Sequence, residues 1–150
     1  MNFTKTTEYA FRILSYMAKD ESHLYNANEL YENLKIPFRY LRKQLTLLSK
    51  AGLLISEQGK NGGYKIAKDL TTISLLDIVH ATGANISGNA CFFGFSNCAL
   101  AEKCAIHDKW ASIYENVNNV LISTNLAEFR KITNHEVLIT NNKFINFKKD

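Results

Sequence analysis

Three cysteines are too few, and odd in number, for this chain to be a disulfide scaffold. The first twenty residues carry Lys5, Glu8 and Arg12 and no long apolar stretch, so neither a secretory signal nor a membrane span is expected there. The expectation is a cytoplasmic protein without a membrane partner, its thiols free, metal-bound or buried. Catalytic groupings are also missing. No nucleophile is paired with a base, no two carboxylates suggest a cleft, and Cys104 with His107 resembles a thiol–imidazole pair only in proximity, without a third group. The glycine-rich stretch "GKNGG" lacks the serine or threonine after lysine that a phosphate-cradling loop requires. The sequence therefore reads as that of a non-enzyme. Proline is all but absent, so Pro37, the only one, marks a single break in the chain.

What is present is a core and an uneven charge. At 150 residues and 46% apolar composition the chain can bury the core of one ordinary domain. The net charge of +4 hides a local imbalance: Lys35, Arg39, Arg42, Lys43, Lys50, Lys60, Lys65 and Lys68 face the single anion Glu57 between positions 35 and 68, and the rest of the chain is slightly acidic. Such a basic segment suits a polyanion. Its local order points the same way. Ala10, Ile13, Leu14 and Met17 fall at helical spacing and predict a first helix over about 4–19. Asn26, with Glu29 three residues on, predicts a capping box and a short helix over 27–34. Pro37 suits the first turn of a third helix, in which Leu41, Leu45 and Leu48 face inward while Arg39, Arg42, Lys43 and Gln44 are free to face out, and Gly52 ends it. Two short helices and a tight turn, with cations on the second, predict a helix-turn-helix whose third helix enters the major groove.

After this helix, "LLISEQGKNGGYKIAK" predicts two short strands around a glycine-rich turn, a wing with Lys60 and Asn61 at its tip. Ser74 as cap, Asp77 in the first turn and Gly83 as the stop predict a further helix, in which His80 is given no role. Ile106, Trp110, Ile113, Val117 and Val120 then step by four and three, the seam of a helix that packs on a partner or, as the alternative, on the chain's own core; a two-fold dimer on DNA needs such an element, and a seam over 105–122 would span roughly 27 Å. Ser123 or Thr124 is expected to cap one more helix. The fold class expected is mainly α with a small β wing: a winged helix-turn-helix over 1–83, a cysteine-rich loop over 84–104, a dimerisation helix and its successor over 105–132, and a tail over 133–150.

All three cysteines lie in "NACFFGFSNCALAEKCAIHDKW". If the long helix has begun by Cys104, that residue and His107 share a face one turn apart, close enough to ligate one centre with Cys91 and Cys98. Three readings stand side by side. Structural zinc is chemically sound, although its cysteines usually sit closer together. Free thiols, buried or redox-active, are the second. An iron-sulfur cluster, whose larger footprint tolerates wider spacing, is the third.

Over nearly its full length the chain resembles the IscR/NsrR family of bacterial winged-helix regulators. "FTKTTEYAFRILSYMA" is similar to that family's first helix, "RYLRKQLTLLSKAGL" to its recognition helix, "GKNGGYKIAK" to its wing, and the three-cysteine loop to its cluster site. The resemblance implies a homodimeric transcription regulator, usually a repressor. Its DNA affinity would change when an iron-sulfur cluster near the dimer helix is lost, oxidised or nitrosylated, so the signal would be nitric oxide, redox state or iron-sulfur status. Cys91, Cys98 and Cys104 match the family cysteines. His107 matches the fourth ligand of a two-iron cluster, the favoured type, and Glu8, reaching in from the partner subunit, that of a four-iron one. The DNA-contact set is then Arg39, Tyr40, Arg42 and Lys43 on the helix and Gln58, Lys60 and Asn61 on the wing, with Ile106, Trp110, Ile113, Val117 and Val120 at the dimer seam. Gln58 stands where the family commonly has arginine, so the operator sequence cannot be borrowed. The alternative is a zinc-stabilised or metal-free winged-helix dimer serving as a protein scaffold or a thiol-based redox regulator.

Overall fold

The computed structural model describes residues 4–84, residue 91 and residues 104–132. Along the chain run α1 (Lys5–Met17), α2 (Ala27–Leu34), α3 (Phe38–Lys50), strands β1 (Leu54–Glu57) and β2 (Gly63–Ile66), a 3-10 turn (Leu70–Thr72), α4 (Leu75–Ala81), α5 (His107–Ser123) and α6 (Leu126–Ile132). This is the mainly helical, winged arrangement the sequence predicts. Among the described residues no helix is long and apolar enough to cross a membrane.

The core forms where the apolar stripes of α1 to α4 meet. Ala10, Ile13, Leu14 and Met17 of α1, Leu30 and Leu34 of α2, and Leu41, Leu45 and Leu48 of α3 are fully or almost fully buried, with Ile73, Ile78 and Val79 beside them. Each such leucine or isoleucine contributes about 1.5–3 kcal/mol by leaving water. Caps fix where the helices begin. Thr4 accepts from the Thr7 backbone N–H at 3.3 Å, and Asn26 accepts from that of Glu29 at 2.9 Å. The capping box expected at α2 is only half made, because the Glu29 carboxylate accepts from His23 Nε2 at 3.0 Å and does not turn back to Asn26. Pro37 stands at the cap of α3, just outside its first turn, and its carbonyl accepts from Tyr40 and Leu41. Gly52, at φ +70°, stops the helix as expected.

The turn between α2 and α3 rests on two unusual supports. Lys35 adopts a left-handed conformation, φ 53°, a position that glycine usually fills. Arg12 of α1 donates from Nη2 to the Leu34 carbonyl just before it, so an α1 side chain caps the C-terminus of α2.

The wing is an antiparallel hairpin with Leu54 opposite Ile66 and Glu57 opposite Gly63. It is joined to the helices by Tyr25, whose N–H donates to the Tyr64 carbonyl at 2.9 Å while the Tyr64 N–H donates back at 2.8 Å. Gly63 permits this approach, since a Cβ there would lie 2.6 Å from the Tyr25 carbonyl oxygen. Gly63→Ala is expected to break that pair of bonds and to destabilise the protein by about 1–3 kcal/mol, measured as a lowered denaturant midpoint.

Ser74 and Asp77 make the reciprocal capping box of α4. Residues 73–75 also hold the C-terminal helices: the Leu75 N–H donates to the Thr124 carbonyl at 2.9 Å, and the Leu126 N–H donates to the Ile73 carbonyl at 2.8 Å. This join corrects the expected cap of α6. Ser123 is still the last residue of α5 and Thr124 is extended, so Asn125 takes the role, accepting from the Glu128 N–H at 3.0 Å and donating its own to the Glu128 carboxylate at 3.3 Å.

Candidate nucleic-acid interface and thiol loop

Helix α3 divides cleanly into two faces. Leu41, Leu45 and Leu48 anchor it, and Arg39, Tyr40, Arg42 and Lys43 stand exposed on the other side. Gln44 departs from its expected place. It is only 2% exposed, and its Oε1 has no hydrogen-bond partner among the described residues. Spacing explains this, because Gln44 follows Leu41 by three residues and precedes Leu48 by four, and so falls within the stripe that packs against α1.

The wing tip completes the surface. Gln58, Lys60 and Asn61 are exposed in the turn between β1 and β2. Gly62 lets that turn close, since a Cβ there would meet the Glu57 carbonyl oxygen at 2.2 Å. Lys65 is occupied by Glu57 across the hairpin. By contrast, among the described residues Arg39, Arg42, Lys43 and Lys60 form no ion pair, so their charge is free for an external anion.

Arg42 of α3 and Lys60 and Asn61 of the wing line one cleft of about 720 Å³, together with Asn26 and Asn28 at the start of α2 and with Phe38. Three elements thus converge on a concave surface that carries two cations, three side-chain amides and the N-terminal end of α2, where backbone N–H groups favour an anion. Asn28 and Phe38 are the members that charge and motif did not single out, and the sequence marks Asn26 only as a helix cap. Asn28 and Phe38 become recognisable only by position, as the second residue of α2 and the first of α3. Tyr40 does not line this cleft; it is 56% exposed, with its ring 6.4 Å from that of Tyr9.

Of the candidate metal ligands, Cys91 and Cys104 are half-buried free thiols, and Cys98 lies outside the described residues. Cys104 precedes α5, which begins at His107, so the two do not share a helix face as expected. They are joined by a turn in which the His107 N–H donates to the Cys104 carbonyl at 3.1 Å. Glu8, in the first turn of α1, accepts from Lys5 Nζ at 2.6 Å and lies 3.8 Å from Arg12. That hydrogen bond, with the attraction of the carboxylate, raises the Lys5 pKa above its ordinary value. Among the described residues no three cysteine, histidine or acidic side chains gather as a metal site, so Cys91, Cys104, His107 and Glu8 are not brought together.

The expected seam of α5 is split. Trp110 and Val117 pack partly on the protein's own core, alongside buried Tyr114 and Leu121, and the Trp110 and Tyr114 rings meet edge to face at 6.0 Å. Ile106 stands half-buried at the start of the helix. Ile113 and Val120 remain 53% and 60% exposed. They are seven residues apart, and so lie on one strip beside the buried stripe.

Comparison with known proteins places this geometry. A family model described as "Rrf2: Iron-dependent Transcriptional regulator" matches residues 3–131. The HTH-type transcriptional regulator NsrR of Shouchella clausii is 31% identical over 108 residues, 71% of this chain and 72% of that protein. IscR of Klebsiella pneumoniae is 28% identical over 110 residues, 73% of this chain and 66% of its own. Among solved structures, CymR, described as the global cysteine regulator of B. subtilis, superposes with a TM-score of 0.74 at 21% identity, over 89% of this chain and 99% of that one.

Proposed function

This chain belongs to the Rrf2 family of transcriptional regulators, and on that premise we propose that it is a homodimeric repressor whose affinity for duplex DNA is set by an iron-sulfur cluster. It is a regulator and not an enzyme. The observation that carries the DNA-binding half of the reading is the cleft shared by Arg42, Lys60 and Asn61, set beside the unpaired Arg39 and Lys43. An exposed, unpaired cation releases condensed counterions when it meets a phosphate. The recognition helix enters the major groove, where Arg39 and Arg42 meet guanine edges, while Lys43 and the wing-tip Lys60 hold phosphates.

Duplex titrations at several salt concentrations test this division of labour. Arg39→Ala and Arg42→Ala are each expected to cost about 1–3 kcal/mol on the selected sequence and little on random DNA, whereas Lys60→Ala weakens both alike and lowers the salt slope by about one. Equal losses on both duplexes for every variant would refute it.

For the cluster, the donor set supports the reading: three thiols within fourteen residues, of which Cys91 and Cys104 are unpaired, suit a soft metal centre. Cys91, Cys98 and Cys104 would hold it, with His107 or the partner subunit's Glu8 as the fourth ligand. When bound, it supplies iron and sulfide that react with nitric oxide or oxidants. The chain's own contribution is to join Cys104, through the hydrogen bond from the His107 N–H, to the start of α5, the helix that carries the exposed Ile113 and Val120 and so sets how two recognition helices are spaced. They must lie about one DNA turn, roughly 34–36 Å, apart.

The second reading is a metal-free regulator that responds through its thiols. It is favoured by the half-buried, unpaired state of Cys91 and Cys104. Iron, zinc and acid-labile sulfide analysis after anaerobic purification separates the two: equimolar iron and sulfide support the cluster, and their absence with intact thiols supports the alternative.

A further inference from the structure

Resting on the DNA-binding reading above, we propose that Phe38, braced by Tyr31, is a specificity-determining residue that reads the C5-methyl group of a thymine in the major groove. Phe38 is the first residue of α3, the end from which a recognition helix reaches base edges. Its side chain is 38% exposed and Tyr31 of α2 is 44% exposed. The two rings meet edge to face, 5.7 Å between centroids and 89° between planes. Such an edge contact fixes the orientation of the phenylalanine ring without covering it. Phe38 also lines the cleft that holds Arg42, Lys60 and Asn61.

An exposed aromatic pair invites an apolar occupant, and the charges around it decide which. Arg39 and Arg42 flank the pair and carry no counter-ion among the described residues. An apolar protein face would leave those cations desolvated and unpaired, which is strongly unfavourable. A DNA duplex pairs them with phosphates and guanine edges, and in its major groove the apolar group on offer is the thymine methyl, which cytosine lacks. Phe38 thus separates thymine from cytosine by burial at one position, beside positions that the arginines read by hydrogen bonding.

The test selects binding duplexes from a random-sequence pool with the full-length protein, then replaces each thymine of the enriched half-site in turn by deoxyuridine. This swap removes only the methyl group and leaves the protein untouched. At one thymine the swap is expected to weaken wild-type binding roughly fourfold, the worth of one buried methyl. Phe38→Ala should bind the thymine and uracil duplexes equally, and Phe38→Leu, which keeps an apolar side chain, should retain part of the difference. If a defined sequence is enriched but every uracil is tolerated, this proposal fails and the regulator stands. A uracil effect that persists undiminished in Phe38→Ala assigns the methyl to another residue and likewise overturns it. Absence of duplex binding overturns both readings together.

Discussion

With aspartate at both Ile113 and Val120, the protein is expected to become a monomer and to lose about 10²–10⁴-fold of its affinity for a duplex carrying two half-sites. The two side chains are 53% and 60% exposed, so the protomer itself does not need them. Trp110, Tyr114, Val117 and Leu121 still hold α5 against the core, and the helical content and unfolding midpoint should change little. In the proposed dimer, what is lost is the contact between copies, because a carboxylate brought into an apolar interface finds no compensating partner there. A monomer then binds each half-site alone, without the high effective concentration that tethering gives. Sedimentation and titrations against one-half-site and two-half-site duplexes check this directly. A double variant that remains dimeric would show that the dimer is built elsewhere.

The second large effect concerns the thiols. Anaerobically purified Cys104→Ala is expected to contain almost no iron or sulfide, and to bind its selected duplex as wild type stripped by a chelator does. Iron and sulfide assays with absorption spectra give the first result, and titrations of the same samples the second. Full iron and sulfide in the variant would remove Cys104 from the ligand set. His107→Ala and Glu8→Ala divide the remaining question between them. Glu8 already holds Lys5 at 2.6 Å. That pair is exposed and screened by water, so giving it up to reach a metal is cheap. His107 is the exposed first residue of α5, and among the described residues its side chain forms no ion pair. Loss of the cluster in one variant and its retention in the other identifies the fourth ligand.

Much of this fold was legible because local chemistry and tertiary packing agree. The Ala10–Met17 stripe, Asn26 and Ser74 as caps, Gly52 as a stop and the "GKNGG" turn each act within one or two turns of chain, so neighbouring residues alone determine them. Other features depend on partners far away in sequence. Glu29 was free to complete its capping box until His23 offered a competing hydrogen bond. Gln44 is polar, yet its place between Leu41 and Leu48 carries it inward with the stripe. The cap of α6 moved to Asn125 because Thr124 is held by the backbone of Leu75, some fifty residues earlier. The apolar stripe of α5 was legible, but its division between Trp110 and Val117 on the core and Ile113 and Val120 outside was not, since periodicity gives the width of a stripe and not which part meets the protein's own core. For the candidate interface, charge located Arg39, Arg42, Lys43 and Lys60. It could not find Phe38, whose significance depends on Tyr31 from the preceding helix.

The backbone bonds from Leu75 to Thr124 and from Leu126 to Ile73 knit the end of α5 into the base of the winged half. In the proposed dimer, a rotation of α5 at its exposed strip would therefore be carried through these bonds into the half of the protomer that bears Lys60 and Asn61.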